Sequence, residues 1–196
     1  MASRIDGMVI AQGDLTQTAE QVLRLPYMGG PGTVPLSLYN SAAASSALTN
    51  TLTETVMDTY TLPANMLASG RRLVIKYKGT ATATNGADTM TVKVYIGGVA
   101  GTALLTSTAT DAVDADISGG EVELICRTAG ASGTFIAGGS FTKVEAASGT
   151  ASRVETLVAS TAIDTTATQQ ICVSYKWSAA SASDSARNEM FSVVLY

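Results

Sequence analysis

Apolar and polar residues alternate with a period of two through most of the chain beyond about residue 52. Leu73, Ile75 and Tyr77 alternate with Arg72, Val74, Lys76 and Lys78, and Met90, Val92, Val94 and Ile96 with Thr91, Lys93 and Tyr95. Val122, Leu124 and Cys126 alternate with Glu121, Glu123 and Arg127, and Ile171, Val173, Tyr175 and Trp177 with Cys172, Ser174 and Lys176. Phe191, Val193 and Leu195 close the series. Successive side chains of a strand point to opposite faces, so this pattern predicts half-buried strands with one wet face. Further strands are expected near 52–61, 102–108, 133–144 and 151–160, which brings the total to about eight or nine. Turn chemistry separates the runs: Pro63-Ala64-Asn65, Asn85-Gly86, Gly97-Gly98, Ser118-Gly119-Gly120 and Ser148-Gly149. No amphipathic helical pattern interrupts them, which argues against parallel βαβ topology. The expected fold is all-β: an antiparallel, jelly-roll-like β-sandwich of about eight strands over residues 51–196.

Residues 1–50 lack this pattern. They hold three of the four prolines, the cluster Met28-Gly29-Gly30-Pro31-Gly32 and the tract Ser41-Ala42-Ala43-Ala44-Ser45-Ser46-Ala47. Such punctuation predicts turns and extended chain. One stretch reads otherwise: Asp14, with Gln17 three residues on, forms a capping-box pattern and predicts a short helix over 14–25 that Pro26 stops. The segment is too apolar for a solvated linker. Ordering each residue costs roughly 1–2 kcal/mol of backbone entropy, so an extended arm of this kind needs a surface to lie on. Fully extended it would reach about 165 Å. Its expected anchors are Ile10, Leu15, Val22, Leu23, Leu25, Tyr27 and Tyr39.

Composition narrows the chemistry. Ala, Thr, Ser and Gly make up 94 of the 196 residues, and charged residues only 14%. The absence of histidine removes Ser-His-Asp, Cys-His and histidine-ligated metal chemistry. The net charge of −4, with no basic run, disfavours nucleic-acid binding through a phosphate-neutralising patch. No apolar stretch approaches the ~18–20 residues of a membrane-spanning helix, and the N-terminus lacks the apolar core of a secretory signal. Neither membrane nor nucleic acid is therefore an expected partner. Cys126 falls on an apolar face and Cys172 on a polar one, so two free thiols are expected rather than a disulfide.

Several constellations have a chemical and a plainer reading. Asp111, Asp114 and Asp116 offer oxygens for a hard cation, but without EF-hand spacing or its central glycine. A solvated loop is the plainer reading, and no metal or cofactor is expected. Glu121 and Glu123 lie roughly 7 Å apart on one strand face, a separation a glycosidase pair could use. Such enzymes also need a sugar-stacking cleft, and the chain's one Trp lies in a strongly alternating strand, so an ordinary outer face near Arg127 is expected there instead. Trp177 and Tyr175 read as core anchors rather than a ligand platform, because they share a face with Ile171 and Val173. Arg71-Arg72 reads as a solvated strand start. Gly97-Gly98 and Gly138-Gly139 lack the following helix or lysine of a phosphate loop. The chain is not expected to be an enzyme.

Two motifs carry a family resemblance. Tyr60-Thr61-Leu62-Pro63-Ala64-Asn65-Met66-Leu67 leads into Arg72-Leu73-Val74-Ile75-Lys76 and then Gly79-Thr80-Ala81-Thr82. This resembles the opening of β-sandwich domains in tailed-bacteriophage structural proteins. The run from Leu124 to Thr134, Leu124-Ile125-Cys126-Arg127-Thr128-Ala129-Gly130-Ala131-Ser132-Gly133-Thr134, resembles the "R-x-x-G-x-S-G-T" hairpin of the same domains. The resemblance covers roughly residues 52–145 and rests on turn motifs, not on a catalytic signature. It implies a virion surface component, commonly a homotrimer. Together with the arm it leads to the expectation of a capsid cement (decoration) protein. Such a protein is made in the bacterial host's cytoplasm, sits on the outer capsid surface, and stabilises the shell by linking neighbouring major capsid proteins through its arm. The alternative is a head-fibre or tail-fibre tip that binds a host receptor through the loops at 85–89 and 110–119.

Overall fold

The computed structural model describes residues 3–5, 8–10, 35–83, 87–112, 115–146 and 148–196. The chain divides into two units, Met1–Thr33 and Val34–Tyr196. In the first, β1 (Ser3–Ile5) pairs antiparallel with β2 (Met8–Ile10). The helix expected over 14–25 lies outside the described residues.

The second unit contains β3 (Leu36–Asn40), β4 (Leu48–Thr49), β5 (Thr55–Leu62), β6 (Arg72–Thr82), β7 (Thr89–Ile96), β8 (Thr102–Thr106), β9 (Thr110–Asp111), β10 (Asp116–Thr128), β11 (Gly133–Val144), β12 (Ala151–Ile163), β13 (Gln169–Trp177) and β14 (Ser185–Leu195). They form two antiparallel sheets. The larger runs β12-β11-β10-β6-β14-β3, with β4 also on β14; the smaller runs β5-β13-β7-β8, with β9 also on β7. Leaving aside the two-residue β4 and β9 and the β11–β12 hairpin, eight strands remain: β3, β5, β6, β7, β8, β10, β13 and β14. First pairs with last (β3–β14), second with seventh (β5–β13), third with sixth (β6–β10) and fourth with fifth (β7–β8). This nested pairing is the double Greek key of a jelly roll. The β11–β12 hairpin is an insertion that widens one sheet.

The period-two pattern explains the layering. Leu73, Ile75 and Tyr77 of β6 and Val122, Leu124 and Cys126 of β10 point inward, opposite Val92, Val94, Ile171, Val173, Tyr175 and Trp177 of the smaller sheet. These residues are buried in one core. Trp177 and Tyr175 are core anchors, as their pattern predicts. The Trp177 indole donates to the Leu48 carbonyl at 3.3 Å, and the Tyr175 hydroxyl donates to Asn188 Oδ1 at 3.2 Å. Buried polar tips thus keep partners.

Three sequence expectations change. First, the expected domain boundary at residue 50 falls inside the sandwich. β3 is the first strand of the jelly roll, and the small-residue tract after it seals the edge of β14. Ser41 N–H donates to the Phe191 carbonyl and Phe191 N–H donates to Ser41 Oγ, at 2.8 and 2.9 Å; Ser45 and Asn188 repeat the exchange at the same distances. Serine hydroxyls here replace missing ladder carbonyls, which hydropathy does not reveal. Second, Ser118-Gly119-Gly120 is not a turn but the interior of β10. Gly120 lies opposite Tyr77, and a Cβ there would sit 2.8 Å from the Tyr77 ring and hydroxyl. These glycines admit a large neighbour rather than reversing the chain. Third, the expected 110–119 loop is shortened from both ends by β9 and β10.

Candidate functional site

Of the anchors expected in the arm, Ile10 lies in β2, opposite Ser3. Leu15, Val22, Leu23, Leu25 and Tyr27 lie outside the described residues. Tyr39 belongs to the sandwich: it sits in β3, its ring centroid 5.6 Å from Tyr60 and 5.8 Å from Phe191. It closes the sandwich edge between β3 and β5.

Of the acidic stretch, Asp114 lies outside the described residues, and Asp111 and Asp116 meet at a lysine. Asp116 opens β10 and Lys143 is the penultimate residue of β11, one before its last pair; both are nearly fully buried. Lys143 Nζ lies 3.0 Å from Asp116 Oδ2 and donates to the Asp111 carbonyl, with Glu145 at 3.8 Å. Asp116 Oδ1 accepts from the Ala146 N–H at 2.9 Å. An ammonium group therefore occupies the position a cation would take. Among the described residues, no group of three or more acidic, Cys or His side chains is arranged to hold a metal ion.

Glu121 and Glu123 face outward on β10. Register places Glu121 opposite Lys76, at 3.0 Å, and Arg72 reaches Glu123 diagonally at 3.6 Å. Both carboxylates are about half exposed and each has a cationic neighbour, the arrangement of a solvated cross-strand ladder. Arg72 also lies 4.1 Å over the Tyr196 ring, while Arg71 donates to the Met66 carbonyl at 3.2 Å. The paired arginines are thus built into the strand start.

On the outer face of the larger sheet, two shallow depressions, of about 540 and 600 Å³, share Glu121 and Ser140. One is lined by Ile125, Ile136, Gly138, Arg153 and Leu157; the other includes Ile117, Val144 and Met190. Ile117, Met190 and Leu157 are exposed large apolar side chains on this face. Gly138 leaves open space above the sheet, where an added Cβ would touch only the Thr156 carbonyl at 3.8 Å. A broad, shallow, mixed face of this kind suits contact with another macromolecule better than enclosure of a small molecule.

The smaller sheet carries a polar network that sequence reading missed. Glu54 lies across its outer face. Its Oε1 accepts from Ser174 Oγ at 2.6 Å and Tyr95 OH at 2.8 Å, and its Oε2 pairs with Lys93 Nζ at 3.0 Å. Burial works to raise the Glu54 carboxyl, but the hydrogen bonds from Ser174, Tyr95 and Lys93, with the lysine charge, outweigh it and hold the carboxyl below its ordinary value. Alternation placed Cys172 and Ser174 on a wet face; both are fully buried because β13 is a central strand covered on its outer side. Burial, with the Glu54 charge adding, pushes the Cys172 thiol up to about 11. Cys126 and Cys172 are both free. At the strand ends Asp88 and Asp184 are both buried: burial pushes the Asp184 carboxyl up and the Asp88 charge adds to it.

No known protein family and no curated protein matches this chain. Among solved structures, a chain from a structure of the infectious bursal disease virus Gx strain is similar over 83% of this chain and 42% of its own length. It has 12% sequence identity and a TM-score of 0.33. This chain thus spans about two fifths of the length of that protein. The fold assignment rests on strand order and register alone.

Proposed function

We propose that this chain is a structural virion protein of the cement type. Its sandwich sits on the outer surface of a phage capsid, and residues 1–33 bind neighbouring copies of the major capsid protein. The observation that carries this reading is the division of the chain at Thr33/Val34 into a complete jelly roll and a separate N-terminal unit. All eight strands of the double Greek key lie within residues 34–196, and the described strands of the N-terminal unit pair only with each other. Asp116, Glu121, Glu123 and Glu54 each have a cationic partner, which supports a mechanical rather than a catalytic role for these four carboxylates. The phage assignment, and the homotrimer that belongs with it, rest on the turn-motif resemblance. In a trimer, three arms bound together would raise one another's effective concentration, so occupancy would be high without any arm being adhesive alone.

The test is truncation at the right residue. A protein of residues 34–196 keeps every strand of the jelly roll. One of residues 51–196 loses β3 and β4 and uncovers β14, so its failure to bind would have two causes. The 34–196 protein is expected to fold with an unchanged far-ultraviolet spectrum and to be lost from purified capsids that retain the full chain. Undiminished occupancy by the 34–196 protein would overturn the anchoring role. Binding of the same protein to host cells would favour the receptor-binding tip instead.

A further inference from the structure

The four sheet edges are unequal. β3, β5 and β8 have 5, 8 and 5 residues, whereas β12 has 13. Among the described residues β12 pairs with β11 alone. It contains no proline, and its pairing with β11 is unbroken from Ala151 to Val158, with one irregularity before Thr161. Long exposed edges are normally shortened, charged on their inner face, kinked or covered, because their unpaired backbone groups template another strand. Here Val154 and Val158 pack on the core while Arg153, Glu155 and Leu157 face outward, Leu157 at 82% exposure.

We infer that β12 is the site of antiparallel strand pairing with a second copy of this chain. A two-fold axis normal to the sheet keeps both outer faces on one side, so the axis must pass through a residue of the regular stretch. Charge then selects the register. An axis at Arg153 sets Arg153 against itself, and one at Glu155 sets Glu155 against itself; like charges directly opposite are destabilising. An axis at Val154 sets Arg153 opposite the second copy's Glu155, twice. It also sets Ser152 opposite Thr156 and Leu157 over Ala151. Within one copy Arg153 and Glu155 already form an ion pair, so pairing completes a four-membered alternation of charge. Because the same edge is used on both sides, the contact closes on itself and does not propagate. It joins heads side by side whether or not they also gather on a three-fold, and it does not depend on the capsid role.

The test is charge exchange, read by sedimentation of the full chain. Both side chains are about two-thirds exposed, so substitution leaves the core intact, and thermal melts would verify this. Wild type is expected to form an associated species. R153E and E155R are each expected to weaken it about tenfold or more, since two opposed pairs become like-charged. The double variant R153E/E155R restores complementarity and is expected to reassociate. An equimolar mixture of the two single variants is expected to form pairs holding one copy of each, scored with two different tags. A wild type that shows no association at its highest soluble concentration would overturn the inference. So would single variants that associate as wild type does, or a double variant that does not recover.

Discussion

Replacing Lys143 by Met tests the buried ion pair most directly. The side chain is almost wholly out of water, as is its partner Asp116 at 3.0 Å. In Lys143→Met the chain length is kept and the charge removed. Asp116 then retains the Ala146 N–H but has lost its counter-ion. Breaking one side of a buried pair costs about 3–5 kcal/mol, because the remaining charge is neither solvated nor matched. For a domain of this size each kcal/mol lowers Tm by about 2–4 °C, so a fall of about 6–20 °C is expected. That is a large share of the ~5–15 kcal/mol stability of a typical domain. The discriminating measurement is a double-mutant cycle by urea denaturation with Asp116→Leu and Asp116→Leu/Lys143→Met. Removing both charges is expected to recover most of the loss, since a hydrophobic replacement of a buried pair is often neutral. A loss under about 1 kcal/mol in Lys143→Met, or a double variant no better than the single, would refute the argument.

Gly79→Ala is expected to lower stability by about 2 kcal/mol or more. Its Cβ would lie 2.2 Å from the Tyr175 hydroxyl and 2.5 Å from the Arg187 carbonyl; a calorimetric Tm within a degree of wild type would contradict this. Ala115 holds a left-handed φ of 62°, so Ala115→Gly is expected to stabilise by about 1 kcal/mol, read from the urea midpoint. Glu54 has a folded carboxyl value held below its ordinary one, so it contributes stability above pH ~4.5 that is lost as pH falls through the folded value. Glu54→Gln is therefore expected to be about 1–2 kcal/mol less stable at pH 7, with a shallower loss on acidification, measured by denaturation at stepped pH. With its thiol pushed to about 11, Cys172 is expected to resist a disulfide reagent at pH 8 until the chain unfolds, when both cysteines react.

Alternation alone made the fold class legible. Side-chain direction in a strand is a local property, so the inward rows of β6, β10 and β13 could be read residue by residue, and the 133–144 strand matches β11 end to end. The roles of Trp177 and Cys126 followed from the same rule. What alternation does not carry is which strand lies beside which. The jelly roll is defined by pairs distant in sequence, β3 with β14 and β5 with β13, and these are chosen by the joint fit of two sheets. The pattern therefore puts β3 in an arm: five residues are too few to establish a period, and its edge is completed by Ser41 and Ser45. Alternation puts Cys172 and Ser174 on a wet face because nothing local in the sequence says that Glu54 lies over that face. Lys143 and Asp116 are 27 positions apart, with nothing local to link them; adjacent strands bring them together in a place closed to water. The sequence by itself determined period, turn chemistry and the absence of histidine. Only the tertiary structure decided partners, edges and burial, because those depend on contacts between residues that the chain keeps far apart.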